Sequence, residues 1–390
     1  MRGPGGAGAA PFDLARLRAD LGRCAIDLLL VASHYNLQYL LGGYRRFFFS
    51  VDDSLGLSRS APVLGIPARS GGAPFYVGHV LESSQLAAEP LWVDDVELSA
   101  WSAVAVVAPT VRRVRALGLE RATIGIEAAF LSAETYIAFY EQLPEARFID
   151  SATILEDLRS VKQPYEIDWI RRATEEVVAS IVSTFQQCAP GISTAQVERI
   201  LRDEEILRGL DFVYGQVITG APGHRYPSEA RRWERGAALA IDSGGAFCGY
   251  LGDLTRMAVL GEPSALQREL LGEVDAIQMA ARAAIRPGAS GADIEAAVSP
   301  LIDVSEHRID FIAEGTGLVG HEAPRLMRKS PLPDPGRHYG DPLAAGMVLG
   351  VETTLAHPVV GVVKLEDVVV VTDGGCEGVA DDARDFTVVG

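Results

Sequence analysis

The sequence predicts a mixed α/β (α+β) protein of two domains, and three observations carry that expectation. Helix-like and strand-like apolar periods alternate over about the first 150 residues, a normal domain size. The stretch 147–187 then carries helical spacing on both sides of Gln163-Pro164, where proline ends the first helix. The remaining chain holds long helical periods and a strand-rich end, and its 390 residues suffice for two buried cores. The expected division is a flexible leader at 1–11, a first domain at 12–157 and a second at 158–390.

Residues 13–22 have helical spacing and lead into a strand at 26–32. HYNLQYLLGGY at 34–44 reads as a short helix ended by glycines. Further β-type runs are APVLGIPA, APFYVGHV and ATIGIE (122–127), and SAETYIAFYEQL (132–143) is a helix. Beyond the proline, DFVYGQVITG and AALAIDSGG read as strands, and 263–285 and GADIEAAVSPLID as helices. The stretch from Met347 to about Val371 reads as strands with a short connection.

A hydrophobic share of 48% fits a globular chain rather than a disordered one. The net charge of −17, with no lysine- or arginine-rich tract to offset it, argues against nucleic-acid binding. Cys24, Cys188, Cys248 and Cys376 are far apart without CxxC spacing, which suits reduced thiols of a cytoplasmic protein. The start MRGPGGAGAAPF lacks a signal-peptide core, and no run reaches the length of a membrane span.

Four acids stand out because they interrupt apolar, β-forming runs: Asp242 and Asp253 in IDSGGAFCGYLGDLTR, Glu352 in GMVLGVETTL and Glu366 in GVVKLEDVVVV. Each alone reads as a strand-edge or salt-bridged acid. Burying a lone carboxylate costs several kcal/mol, so four in strands make sense if they converge on cations. Hard oxygen donors suit divalent metals. Asp242 and Asp253 are eleven apart, an odd spacing that faces them oppositely on one strand. Gly244, Gly245 and Gly249 between them permit a hairpin that brings both to one point.

In their order these words resemble the "pita-bread" metallopeptidases, the family of aminopeptidase P, prolidase and the non-peptidase creatinase. NLQYLLGGY resembles its amino-terminal signature, and SVKQPYEIDWIRRA its linker phrase. IDSGGAFCGYLGDLTR resembles its first metal motif, GHEAP its His-Glu-x-Pro word, and MVLGVETT and VKLEDVVVVTDGG its two glutamate strands. The resemblance covers nearly the whole chain. It implies a creatinase-like α/β amino-terminal domain followed by a pita-bread catalytic domain with a curved antiparallel sheet. It also implies a homodimeric hydrolase that cleaves an amide or other C–N bond in a small molecule or dipeptide through metal-bound hydroxide. Asp242 would ligate one ion, with Asp253 bridging, and Glu352 would ligate one ion, with Glu366 bridging. His321 and His224 match catalytic histidines of the family. Candidate substrate contacts are Arg45 or Arg46 in YRRFFFSVDD, Arg225 and Tyr226 beside His224, and His357 after the Glu352 strand.

The chain also departs from that pattern. The family's histidine metal ligand lies seven residues before the His of His-Glu-x-Pro; counted directly that position is Glu314, whereas pairing EGTG with the family's His-Gly-Thr-Gly leaves no residue there, and either way the imidazole ligand is absent. As a ligand, Glu314 would make a shell of five carboxylates for one or two ions, favouring Mn²⁺ or Mg²⁺ over Zn²⁺, with Fe²⁺ and Co²⁺ as alternatives. Otherwise it pairs with a nearby arginine. Glu-Pro-Gly is replaced by ETT at 352–354, and the arginine two residues before the second glutamate is Lys364. Both changes are expected to alter the pocket wall without touching the metal acids. A lyase-type small-molecule enzyme and a non-catalytic peptide-binding module are the alternatives on this scaffold, and retention of the four acids and both histidines speaks against the module.

Overall fold

The computed structural model describes residues 9–45, 62–220, 225–331 and 333–390. It divides into two compact units, Met1–Arg159 and Ser160–Gly390.

The first unit is built on a mixed sheet of β1 (Leu28–Val31), β2 (Val63–Pro67), β3 (Phe75–His79), β4 (Asp95–Ala100), β5 (Thr123–Ile126) and β6 (Arg147–Asp150). Its strand order is β4-β3-β2-β1-β5-β6, with β1 antiparallel to β2 and parallel to β5. Leu28, Leu30, Val77 and Ile124 bury against Val107, Val111 and Val114 of the helix Val107–Ala116 and Phe139 of the helix Ala133–Gln142. The helix expected at 34–44 spans His34–Leu40. Its start is fixed by Glu127, which is fully buried and accepts from the Ala32 and Ser33 backbone N–H groups, the Ser33 hydroxyl and Asn36 Nδ2. The asparagine of the amino-terminal signature thus holds this unit together.

The second unit carries β7 (Asp211–Thr219), β8 (Ala238–Phe247), β9 (Tyr250–Leu260), β10 (Arg308–Gly315), β11 (Glu322–Arg325), β12 (Val348–His357), β13 (Gly361–Thr372), β14 (Gly375–Val379) and β15 (Thr387–Val389). The order is β11-β10-β12-β13-β9-β8-β7, with β14 added on β13 and β15 on β9. All of these pairings are antiparallel except that of β15.

Helices cover one face of this sheet. The helix Pro164–Gln187 starts at its proline behind a Gln163–Glu166 capping box, and with Thr194–Leu207 it packs Val177, Ile181 and Leu201 against Leu239, Ile241, Leu254 and Ala258. The helices Ala265–Ala284 and Gly291–Val304 pack Ile277, Ala281, Ile294 and Val298 against Ala313, Leu349, Val351 and Val369. Each of the Val, Leu and Ile side chains among them contributes about 1.5–3 kcal/mol by leaving water. Because side chains alternate along a strand, Asp242, Asp253, Glu352 and Glu366 project from the opposite face.

Candidate active site

Strand register assembles the site. Gln216 pairs with Asp242, Asp242 with Thr255, Thr255 with Glu366, Glu366 with Glu352, and Glu352 with Ile312. These residues form one continuous row across β7, β8, β9, β13, β12 and β10. Asp253, Lys364 and Glu314 each sit two residues along a strand from this row, so they share its face. The β8–β9 connection is the expected hairpin. Its turn residues Cys248 and Gly249 have φ of 51° and 83°, the signs that a two-residue type I′ turn requires. Gly244 pairs with Asp253, which brings the two aspartates to one face despite their odd spacing.

The ligand oxygens of Asp242, Asp253 and Glu366, all three buried, lie within 4.8 Å of one another. Tyr214, which the sequence analysis did not single out, donates its hydroxyl to Asp253 Oδ1. At Gly320 a Cβ would come within 2.8 Å of Asp253 Oδ2, so glycine is what lets the loop before β11 approach the cluster this closely.

Lys364 corrects the expectation that the metal acids are untouched by the departures. Its ammonium lies 2.6 Å from Asp242 Oδ2, 3.1 Å from Glu366 Oε2 and 3.2 Å from Glu352 Oε2. Burial opposes the charged lysine, yet the charges of Glu366, Asp242 and Glu352 prevail and raise its pKa well above the ordinary value. Burial also works against ionised Glu352, but Lys364 and the Thr354 hydroxyl bring its pKa below the usual value. Asp253 and Glu366 are not balanced in this way. Burial and the Asp242 charge push Asp253 up to about 7, against the pull of Tyr214 and Lys364. Burial pushes Glu366 up as well, and Asp253, Glu352 and Asp242 add to the push although Lys364 opposes it. One ammonium does not balance four carboxylates, and burial with mutual repulsion makes ionised Asp253 and Glu366 costly. All-oxygen donors, buried and short of positive charge, fit a hard divalent cation.

A cavity of about 800 Å³ opens over the cluster, lined by Asp242, Asp253, Glu352, Glu366, Lys364 and Tyr214, and also by His321, Arg225, Arg308, Arg328 and Lys329. The His321 pKa is lowered by burial and by the charges of Arg325 and Lys364, while Glu352 and Asp242 oppose this. Glu314 is buried and shares a small cavity with Asp253, His321, Glu352 and Glu366. Its Oε2 lies 3.8 Å from Arg325 Nη1, so the arginine pairing weighed for it in the sequence is present.

The other sequence-predicted residues are dispersed. His357 does not line the large cavity: its Nδ1 accepts from the Val359 and Val360 backbone, and its ring lies against His307. Tyr226 is exposed and borders a separate shallow depression with Arg231 and Arg232. Arg45 is exposed in the first unit, where its carbonyl accepts from Gln85. His224 and Arg46 lie outside the described residues. Two of the family-like words have a structural role, because Lys162 of the linker phrase bonds Glu322 of His-Glu-x-Pro at 3.0 Å, both buried.

Comparison with known families matches residues 168–373 to metallopeptidase family M24 and residues 14–161 to the creatinase/prolidase N-terminal domain. Among curated relatives, an Xaa-Pro dipeptidase of Pyrococcus furiosus is 27% identical over 272 residues, covering 68% of this chain and 75% of that protein. An uncharacterised peptidase of Bacillus subtilis is 23% identical over 385 residues, covering 96% and 99%. A solved Xaa-Pro dipeptidase from Bacillus anthracis has the same fold, with a TM-score of 0.79 at 23% identity over 96% of this chain and 99% of that one. The M24 match takes in more than half of the sequence and all four of Asp242, Asp253, Glu352 and Glu366. The chain belongs to metallopeptidase family M24, on its creatinase and prolidase side, and is a hydrolytic enzyme of that type.

Proposed function

We propose that this chain is a dipeptidase of the Xaa-Pro type, cleaving the amide bond of a dipeptide in the cavity above the β8–β13 cluster. The observation that carries the reading is the convergence of the Asp242, Asp253 and Glu366 oxygens within 4.8 Å at the base of that cavity. The names of the relatives from Pyrococcus furiosus and Bacillus anthracis support the substrate class. Asp242, Asp253 and Glu366 would hold a divalent ion, and Mn²⁺ is favoured over Zn²⁺ because the donors offered are carboxylate oxygens. When bound, the ion supplies Lewis acidity for the scissile amide and an acidified water. Tyr214 orients Asp253 through its hydroxyl. His321, kept neutral by burial, is placed on the cavity wall to hydrogen-bond the substrate carbonyl or pass a proton to the leaving amine. Arg225 supplies positive charge for the substrate carboxylate.

The working form would be a cytoplasmic homodimer. The family likeness supports the dimer, and the four free thiols support a reducing compartment. The test is release of proline from a dipeptide with proline second, compared with its glycine counterpart, by protein reloaded with Mn²⁺. Chelator-sensitive release specific to the proline substrate supports the reading. Turnover that ignores chelator, or hydrolysis of neither dipeptide by metal-loaded enzyme, overturns it.

A further inference from the structure

We propose that Lys364 is a built-in cation that stands where a second metal ion would, so that this centre is mononuclear. The inference rests on the reading that the carboxylates hold metal, and it concerns how many ions they admit.

The argument lies in how the carboxylate oxygens are allocated. Glu352 has both engaged: Oε1 accepts from the Thr354 hydroxyl at 3.0 Å and Oε2 from the Lys364 ammonium at 3.2 Å. Asp242 gives Oδ2 to Lys364 at 2.6 Å. Glu366 gives Oε2 to Lys364 at 3.1 Å and to Thr255 at 3.3 Å, and Asp253 gives Oδ1 to Tyr214. Among the described residues, Asp242, Asp253 and Glu366 therefore each keep one oxygen outside these bonds, and these are the residues whose ligand atoms converge. Three oxygens plus water complete one hard cation's shell.

A second ion would need Glu352 and a further donor beside it. Glu352 is already taken, and the Arg325 guanidinium 3.8 Å from Glu314 Oε2 is a further positive charge that opposes a dication on that side. Charge agrees with geometry. An ammonium held 2.6–3.2 Å from Asp242, Glu366 and Glu352 repels a dication placed beside Glu352, whereas Asp253, which makes no ion pair with it, offers negative charge on the far side. Lysine suits this role better than arginine, because its charge is compact and ends a flexible stem inside the cluster.

The test is metal stoichiometry, read by elemental analysis and by the Mn²⁺ electron paramagnetic resonance spectrum, on stripped protein reloaded with excess Mn²⁺. Wild type is expected to bind one ion per chain with the spectrum of an isolated ion. Lys364→Met should admit a second ion and give an exchange-coupled spectrum. Glu352→Gln should keep one ion, since Glu352 is not its ligand. Two coupled ions in wild type, a single ion in Lys364→Met, or loss of the ion in Glu352→Gln would each overturn the proposal while leaving a metal centre in place. A wild type that binds no Mn²⁺ would overturn the metal reading as well. Should Lys364→Met fail to fold, wild type and Glu352→Gln still decide.

Discussion

Asp253 shares the converging set with Asp242 and Glu366 and adds a hydrogen bond from Tyr214 and a close approach by Gly320. Asp253→Ala is therefore expected to lose most bound metal and at least ~100-fold in activity, measured by elemental analysis beside the dipeptide assay. Tyr214→Phe removes only the orienting hydroxyl. It should weaken Mn²⁺ binding by about 10- to 100-fold with little effect on folding, and an unchanged metal titration would deny Tyr214 that role. Glu314→His tests whether Glu314 is a ligand after all: a donor there would raise relative Zn²⁺ affinity in a Mn²⁺/Zn²⁺ competition titration, whereas the single-ion centre expects no change. An unchanged preference would leave Glu314 as the partner of Arg325 alone. The acids were legible in the sequence because each breaks an apolar run. Lys364 was not, since its exchange for arginine resembles a change of pocket wall. Its two-residue offset from Glu366 does place both on one strand face, and that offset was the available signal.

The hairpin of β8 and β9 and the helix Thr194–Leu207 beneath it show what single elements contribute. Glu205, fully buried near the end of that helix, accepts from the Ser243 hydroxyl at 2.6 Å, while its Oε2 has no partner among the described residues. Burial pushes its carboxyl from an ordinary 4.5 up to about 7, against the Ser243 hydrogen bond. Below pH 4.5 both folded and unfolded chains hold this proton. Between 4.5 and about 7 the unfolded chain releases it first, so stability falls as pH rises, by on the order of 3 kcal/mol in all. Glu205→Gln should thus be more stable than wild type at about pH 8 and close to it at about pH 5, as read from urea unfolding at both. An equal difference at the two values would mean that the carboxyl does not titrate there. Long periodic elements such as Pro164–Gln187 and Ala265–Ala284 were readable because one face carries the apolar side chains. β11 and β15 were not, because pairing partners far along the chain define them rather than local propensity.

At the scale of the whole molecule, the proposed homodimer makes a prediction of its own. If Arg45 or Arg46 completes a neighbouring subunit's site, mixing Arg45→Ala/Arg46→Ala chains with Asp253→Ala chains should restore part of the lost activity. Proven subunit exchange without rescue would confine each site to one chain. The fold class was open to sequence reasoning at this scale because alternating periods and the proline break are spread along the chain. The cross-strand row was not, because its members come from the stretch between Gln216 and Glu366 and meet only through register. That row has a consequence for how the sheet matures. A slip of one residue in any pairing from β7 to β10 would turn part of the row to the helix-covered face, leaving unpaired acids in an apolar layer. Only the correctly registered sheet offers converging oxygens, so only it gains the stabilisation that a bound cation confers. A bound cation would thereby act as a proofreader of strand alignment, favouring the native register over every slipped one.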